Sequence, residues 1–265
     1  MGPDHGGARG PERPGIGAGD LPAALSADPR CRRGAGRGGA SWENRRVRSR
    51  LPRNFYDRDT VVVAQGLLGM HLVHVVAGVE RVGRIVEVEA YLGPEDSLHP
   101  DPGSHTYRGP TPRNAPMFGP AGHLYVYFTY GMHHCTNIVC GPEGTASALL
   151  LRAGEIVDGI ELARHRRTTS KSAADLARGP ARLAKALGLT TADSGRDALA
   201  PPFGLALPPR PVGKVSSGPR VGVSGTGGTD QYSWRFWITG DPTVSQYKAA
   251  KPRGAKPDPA TFHGR

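Results

Sequence analysis

Alternating apolar and polar residues fill most of the middle of the chain and predict a series of short β-strands. The segments "HLVHVV" and "GRIVEVEAYL" predict two strands joined by a hairpin at Ala77-Gly78, and "HLYVYFTY" and "HHCTNIVC" predict two more that meet at Gly131. "ASALLLRAG", "PRVGVS" and "RFWITG" predict three further strands. Residues 93–122 form a long Pro/Gly-rich segment between the hairpins. Loops longer than about 15 residues are uncommon in compact domains and are usually functional or disordered.

Helical patterns flank these strands. Asp57 or Asp59 can cap a helix through "TVVVAQGLL", which Gly69 ends. "DGIELARHRR" and "SAADLARGPARLAKALGL" also predict helix, and Pro180 suits the first position of a new one. Clustered strands with flanking helices predict an α+β fold, a single mixed domain with a mostly antiparallel sheet.

The two ends of the chain differ from its middle in composition. Residues 1–50 are rich in Gly, Pro and Arg and show no sustained periodicity, so we predict a disordered basic arm there. The arm either adds sequence-independent affinity for phosphates or is a dispensable extension. Residues 51–248 form the predicted folded domain, and residues 249–265 form a second basic, flexible tail.

The formal net charge of +11 favours a polyanionic partner. The alternative is a solvated basic surface without a specific partner, which would carry the same net charge. The chain has three cysteines and no CxxC pair, which fits a reducing compartment. There is no apolar run of about 20 residues and no apolar region typical of a secretory signal. We therefore expect a soluble protein without membrane contact in the cytoplasm, associated with the nucleoid if the cell is bacterial.

The stretch "RIVEVEAYLGPED" carries an unusual polar face. Alternation places one apolar set on the predicted core side: Val86, Val88, Ala90 and Leu92. The opposite side receives Ile85, Glu87, Glu89 and Tyr91. Glutamate is depleted in strands, and two on one face repel each other. That face either looks into water or lines a site that needs a carboxylate.

The next two strands have similar faces. Tyr125 and Tyr127 share one side of "HLYVYFTY", and Asn137 lies on one side of "HHCTNIVC". If these strands are neighbours, their polar sides converge into an aromatic pocket that suits a flat base such as a purine. An ordinary sheet with one solvated face is the alternative.

Tyr130 precedes Gly131 at the predicted hairpin tip, where an aromatic ring gains little from burial. On a basic protein such a ring can wedge between stacked bases. A metal site is not predicted, because strand alternation sends His133 and His134 to opposite faces. No cofactor is expected.

Several long motifs resemble the alkyladenine (3-methyladenine) DNA glycosylase family: "VEVEAYLGPED", "SHTYRGPTPRN", "MFGPAGHLYVYFTYGMHHCTNIVC", "LLLRAGE" and "RGPARLAKALGL". The resemblance extends over roughly residues 52–247, with the motifs in family order. It implies a mixed α/β domain with a curved antiparallel sheet, no metal, and excision of damaged purines from DNA. The implied lesions include 3-methyladenine, 7-methylguanine, hypoxanthine and ethenoadenine.

The resemblance also implies roles for individual residues. Glu89 matches the catalytic base and Arg152 a basic residue near the active-site water. The base pocket receives Tyr91, His105, Tyr127 and Asn137, and Tyr130 matches the intercalating residue. The loop before "SHTYRG" is longer than the usual family spacing, so His99 is the alternative to His105. Glu87 receives no role.

These motifs together predict a monofunctional DNA-3-methyladenine glycosylase of base excision repair, acting as a monomer on double-stranded DNA that contains damaged purines. Two other classes stay open at this level. A non-catalytic nucleic-acid-binding module would keep the basic surface and tyrosines without needing Glu89. An RNA-modifying relative would keep the pocket but prefer single strands or 2′-hydroxyl contacts.

Overall fold

A computed structural model describes residues 51–208 and 210–250. The predictions for the N-terminal arm and for most of the C-terminal tail lie outside these residues. The first helices are α1 (Arg53–Tyr56) and α2 (Thr60–Leu67). Asp59 caps α2, because its side chain accepts hydrogen bonds from the backbone N–H groups of Val61 and Val62 at 2.8 and 3.3 Å.

The described residues form one eight-stranded sheet whose paired strands are all antiparallel. The strands are β1 (His71–Val76), β2 (Val79–Tyr91), β3 (Leu124–Thr129), β4 (His133–Cys140), β5 (Ser147–Asp158), β6 (Phe203–Ala206), β7 (Val215–Gly218) and β8 (Arg235–Ile238). The order is β3-β4-β5-β2-β1-β6, and β8 pairs with both β2 and β7. The predicted α+β class with a mostly antiparallel sheet is confirmed.

Three helices pack against the sheet: α2, α3 (Ile160–Arg166) and α4 (Pro180–Leu187). Pro180 occupies the first turn of α4, as predicted. The predicted helix through residues 172–189 is interrupted, because Gly179 adopts a φ of 131° and only a short 3₁₀ turn, Ala173–Asp175, precedes it.

One predicted strand is wrong. "PRVGVS", residues 219–224, is irregular, and the strand in this part of the chain is β7, just before it. Gly222 has a φ of 70°, which is incompatible with extended backbone. Strand β6 was missed. The predicted hairpin at Ala77-Gly78 is present, with both residues at positive φ (50° and 74°), as a two-residue hairpin turn requires.

The hydrophobic core lies on one side of the sheet, beneath the helices. Strand β2 does not keep strict alternation, because its register against β5 shifts between Ile85 and Glu87. Ile85 therefore joins the main core cluster together with Val88, Ala90 and Leu92, and Val86 does not. This corrects the assignment of Ile85 and Val86 to faces.

Candidate active site

The polar face of β2 does not look into water. Glu87 and Glu89 both have 0% exposed surface. A buried carboxylate is tolerated when it is paired and hydrogen-bonded, and both glutamates meet this condition. The polar face of β2 therefore belongs to a buried site in which both carboxylates have partners.

Arg152 joins the two glutamates. Its Nε donates to Glu87 Oε1 at 3.1 Å and its Nη1 donates to Glu89 Oε2 at 3.2 Å. A register shift makes this possible: Glu87 pairs with Ala153 and Val88 with Leu151, so Arg152 is the extra residue of a bulge in β5. Burial alone would lower the pKa of Arg152, but the carboxylates of Glu89 and Glu87 outweigh burial and raise it. Arg152 is thus a permanent cation between them.

Glu89 accepts three hydrogen bonds. Besides Arg152, Oε2 accepts one from the Tyr91 hydroxyl at 2.9 Å, and Oε1 accepts one from the backbone N–H of Val221 at 2.7 Å. Burial and the neighbouring Glu89 charge raise the pKa of Tyr91 well above its ordinary value. Tyr91 therefore stays a neutral donor at physiological pH. These contacts fix the carboxylate in one orientation and leave further acceptor capacity on Oε1.

A cavity of about 470 Å³ is lined in part by Tyr91 and Arg152, the two side chains that donate hydrogen bonds to Glu89. Polar and aromatic side chains in its lining include Tyr91, His105, Tyr125, Tyr127, Asn137 and Arg152. Tyr125 and Tyr127 are 5.3 Å apart between ring centroids and tilted by 33°. The volume falls within the range of small-molecule sites, and the aromatic lining suits a flat ligand.

His105 stands at the mouth of the cavity. Its ring is exposed and lies edge-on to Tyr127, with 4.7 Å between centroids, while Nδ1 is 3.2 Å from the Tyr125 hydroxyl. Partial burial lowers its pKa, and the nearby Arg113 guanidinium lowers it further. His99, the alternative, is exposed on the preceding loop and does not line the cavity. The structure therefore brings His105, and not His99, to the predicted pocket.

Asn137 and Tyr130 both line the cavity but differ strongly in exposure. Asn137 is 4% exposed and donates its Nδ2 to the Tyr125 carbonyl at 2.8 Å, which orients its amide at the cavity wall. Tyr130 lies at the tip of the β3–β4 hairpin, on the cavity rim, with 87% of its surface exposed. Its φ is 51°, a left-handed conformation that is uncommon for an aromatic residue. An ordinary core role for Tyr130 is excluded by this exposure.

A second cavity, of about 880 Å³, adjoins the first. The two cavities share part of their lining: Pro102, His105, Val223 and Ser224. His105 therefore belongs to the wall between the two spaces.

The sequence of the whole domain was compared with known proteins. A family model described as methylpurine-DNA glycosylase matches residues 54–242. This chain belongs to the methylpurine-DNA glycosylase family.

Curated relatives agree with this family. A protein of Streptomyces avermitilis is 55% identical over 210 residues, which cover 78% of this chain and 95% of the relative. A protein of Leifsonia xyli subsp. xyli is 52% identical over 200 residues, covering 74% and 92%. A protein of Mycobacterium tuberculosis is 46% identical over 200 residues, covering 74% and 95%. All three carry the name "Putative 3-methyladenine DNA glycosylase".

Membership of the methylpurine-DNA glycosylase family confirms the predicted resemblance and the predicted enzyme class, a DNA glycosylase of base excision repair. The roles of the individual site residues stay predictions. In the described part of the chain, no group of three or more His, Cys, Asp or Glu side chains could hold a metal ion. None of the helices within residues 51–250 that the structure describes could cross a bilayer.

Sequence reasoning missed several residues that support the glycosylase site. Glu87 has no role in the resemblance, yet it accepts hydrogen bonds from Arg235 Nε at 2.7 Å and from both the backbone N–H and the hydroxyl of Ser245, at 2.7 and 2.9 Å. Arg113 lies 5.2 Å from the centroid of the Tyr127 ring. The one signal in the sequence was Glu87 itself, because a glutamate on a buried strand face requires ion-pair or hydrogen-bond partners.

Proposed function

We propose that this glycosylase flips alkylated or deaminated purines out of duplex DNA and hydrolyses their N-glycosidic bond. The substrates in this proposal are 3-methyladenine, 7-methylguanine, hypoxanthine and ethenoadenine. The protein acts as a monomer, without cofactor, and the cytoplasm or nucleoid is its predicted place of action. The observation that carries the proposal is the Glu89 carboxylate, held by three donors, two of which, Tyr91 and Arg152, also line the aromatic cavity.

Glu89 is the catalytic base of the proposed reaction. Hydrolysis passes through an oxocarbenium-like sugar and needs a water molecule positioned below C1′. A carboxylate there accepts the proton of the water and stabilises the positive charge on the sugar. Arg152, Tyr91 and the Val221 N–H hold Glu89 in place, so its orientation does not have to be set during the reaction.

The cavity walls support a preference for damaged purines. A methylated purine is cationic, so stacking against Tyr91, Tyr127 and His105 adds cation–π attraction that a normal base lacks. The lowered pKa of His105 keeps its ring neutral at physiological pH, which avoids repulsion of that cation. Asn137, with its amide fixed by the Tyr125 carbonyl, disfavours the exocyclic amine of normal guanine in this proposal, an amine that hypoxanthine lacks.

Tyr130 is the proposed wedge. Its exposed ring at the hairpin tip fills the gap that a flipped nucleotide leaves in the stack. Filling this gap offsets an unstacking cost of roughly a few kcal/mol.

Release of a damaged base tests the proposal. Duplexes with a single 7-methylguanine or hypoxanthine are incubated with the protein and then treated with alkali, which cleaves the abasic site. We expect strand cleavage that depends on both lesion and protein. Binding without cleavage would favour the non-catalytic module. Release of the free base from single-stranded RNA in preference to duplex DNA, measured by chromatography without alkali, would favour the RNA-modifying class.

A further inference from the structure

Arg220 is a wholly buried arginine behind the candidate active site. Its guanidinium forms a two-pronged ion pair with Asp101, with Nη1–Oδ2 at 2.6 Å and Nη2–Oδ1 at 2.7 Å, and both side chains have 0% exposed surface. Nη1 also donates to the Ala90 carbonyl at 2.9 Å, and Nη2 to the Gly227 carbonyl at 2.8 Å. One side chain thus ties three separate chain segments together.

Arg220 adjoins the site through Ala90, Tyr91 and Val221. Ala90 lies between Glu89 and Tyr91 in β2, and the Arg220 guanidinium carbon lies 4.5 Å from the centroid of the Tyr91 ring. The residue after Arg220 is Val221, whose N–H donates to Glu89 Oε1 at 2.7 Å. A shift of Arg220 therefore moves one of the three donors of Glu89 and removes the packing behind a cavity wall.

Asp101 connects Arg220 to the loop that carries His105. Its carboxylate accepts hydrogen bonds from the backbone N–H groups of Leu92 and Gly103 at 3.0 and 2.8 Å. Gly103 has to be a glycine here, since a Cβ would come within 2.4 Å of Arg220 Nη2. The loop is thus packed directly against the guanidinium two residues before His105.

The Asp101–Arg220 ion pair is better explained by the fixed geometry that it imposes on its partners than by a gain in folding stability. Burying two charges is costly, and well-packed apolar residues often serve stability equally well. An apolar side chain cannot, however, bind a carboxylate and two carbonyls at fixed angles, which a planar guanidinium does. Arg220 binds the carbonyl of Ala90, next to Glu89, and precedes Val221, whose N–H donates to Glu89, the group whose placement the proposed reaction depends on.

We propose that Arg220, held by Asp101, is a positioning residue for base excision. It does not touch the substrate. It fixes the Val221 N–H on Glu89, supports the ring of Tyr91 from behind and anchors the loop that carries His105. The inference rests on the proposed function and adds a support for the same site.

Single-turnover excision by Asp101→Asn and Arg220→Lys tests the inference. Asp101→Asn keeps the shape and removes the charge, and Arg220→Lys keeps the charge but loses the planar array of donors. We expect the excision rate of 7-methylguanine to fall roughly 100-fold, as for a displacement of about 1 Å in an active site. We expect the affinity for a duplex with a stable abasic-site analogue to change little, because the DNA-facing surface is not altered.

Asp193→Asn is the matched control. Asp193 is also a buried aspartate, 7% exposed, but its side chain binds the backbone N–H of Thr190 and approaches Arg196, outside the cavity lining. The control should lower the melting temperature and leave the excision rate of the folded protein near that of the wild type. The inference would be overturned if Asp193→Asn and Asp101→Asn lowered the melting temperature by the same amount and also lowered the excision rate by the same factor. Wild-type rates in both Asp101→Asn and Arg220→Lys would also overturn it, whereas a wild-type protein that excises nothing would contradict the proposed function itself.

Discussion

At the scale of single residues, the carboxylate of Glu89 is held by donors alone: a hydroxyl, a guanidinium and a backbone N–H. The change Glu89→Gln replaces one carboxylate oxygen by an NH₂ group that has to face one of these donors. It also removes the proposed base. We expect the single-turnover excision rate to fall by roughly 10²–10⁴-fold, the usual contribution of general base catalysis. Binding to an abasic-analogue duplex, measured by fluorescence anisotropy, should persist.

Glu87→Gln is the matched control for this prediction. Glu87 contacts Arg152, Arg235 and Ser245, so its loss leaves two buried guanidinium groups with less compensation. We expect the free energy of unfolding to fall by about 3–5 kcal/mol, as when a buried ion pair is broken, while the folded protein keeps measurable excision. An inactive Glu87→Gln beside an active Glu89→Gln would show that the wrong carboxylate is assigned as the base.

The two histidines of the long loop give a second comparison. His105→Ala removes an aromatic wall that contacts Tyr127, whereas His99→Ala alters an exposed side chain outside the cavity lining. We expect His105→Ala to slow excision of 7-methylguanine much more than His99→Ala does, in parallel single-turnover assays. Equal losses, or a larger loss in His99→Ala, would remove His105 from the pocket.

Some of these residue positions could be predicted from the sequence, and others could not. Alternation alone predicted one side for Tyr125 and Tyr127, because it depends only on neighbouring residues, and their convergence with Asn137 required the two strands to pair, as they do around one cavity. The partners of Glu87 come from far along the chain, up to 158 residues away in the case of Ser245. No local pattern contains such contacts, so the ion cluster and the Asp101–Arg220 pair became visible only in the fold.

At the scale of elements, the β3–β4 hairpin presents its tip to solvent as a small apolar surface. Tyr130 and Met132 are 87% and 68% exposed. Tyr130→Ala should reduce excision more for a well-paired lesion than for a mispaired one, because a mispaired nucleotide leaves the stack more easily and needs less help from a wedge. Single-turnover rates on matched and mispaired duplexes measure the difference.

Two controls sharpen the hairpin prediction. Tyr130→Phe keeps the ring and removes only the hydroxyl, so it should excise at nearly the wild-type rate. A thermal melt of Tyr130→Ala should stay close to that of the wild type, because the ring is exposed. Equal losses on both duplexes together with a lowered melting temperature would contradict the wedge.

The elements themselves followed from local sequence wherever their signals were local. Turn residues and alternation predicted both hairpins, Asp59 was one of the two predicted caps of α2, and Pro180 lies in the first turn of α4 as predicted. The bulge at Arg152 could not be predicted, because it depends on the register between β2 and β5. "PRVGVS" has the composition of a strand, yet the contacts of Arg220 and Val221 with the site hold it in an irregular conformation.

At the scale of the whole molecule, two buried histidines link stability to pH. His71 and His74 are 8% and 4% exposed, and burial is the main cause that lowers the pKa of each below its ordinary value of 6.5. The unfolded chain therefore binds more protons than the folded one in this range, so stability rises with pH. The stability that the two neutral histidines contribute is fully present above about pH 6.5. It is lost as the pH falls from there through their lowered pKa values in the folded protein.

Urea unfolding at pH 7.5 and 5.5 checks this expectation. The midpoint should be lower at pH 5.5, and His74→Gln should reduce the difference between the two pH values, since one of the two groups no longer titrates. His74 stacks on Phe203 with 4.6 Å between centroids, so the variant is also less stable at both pH values. A midpoint that is the same or higher at pH 5.5 would contradict the prediction.

The shared wall between the two cavities has a consequence for engineering. His105 is one of four residues that line both the cavity of about 470 Å³ and the cavity of about 880 Å³. His105→Gly would join them into a single chamber with room for substituents far larger than a methyl group. We expect excision of N7-benzylguanine relative to 7-methylguanine to rise in His105→Gly and to stay at the wild-type ratio in His99→Gly, with competition between the two adducts in one duplex mixture as the assay. An unchanged ratio in His105→Gly would mean that the enlarged chamber does not open toward the N7 side of the flipped base. A raised ratio would make His105→Gly a starting point for an enzyme that removes bulky carcinogen adducts.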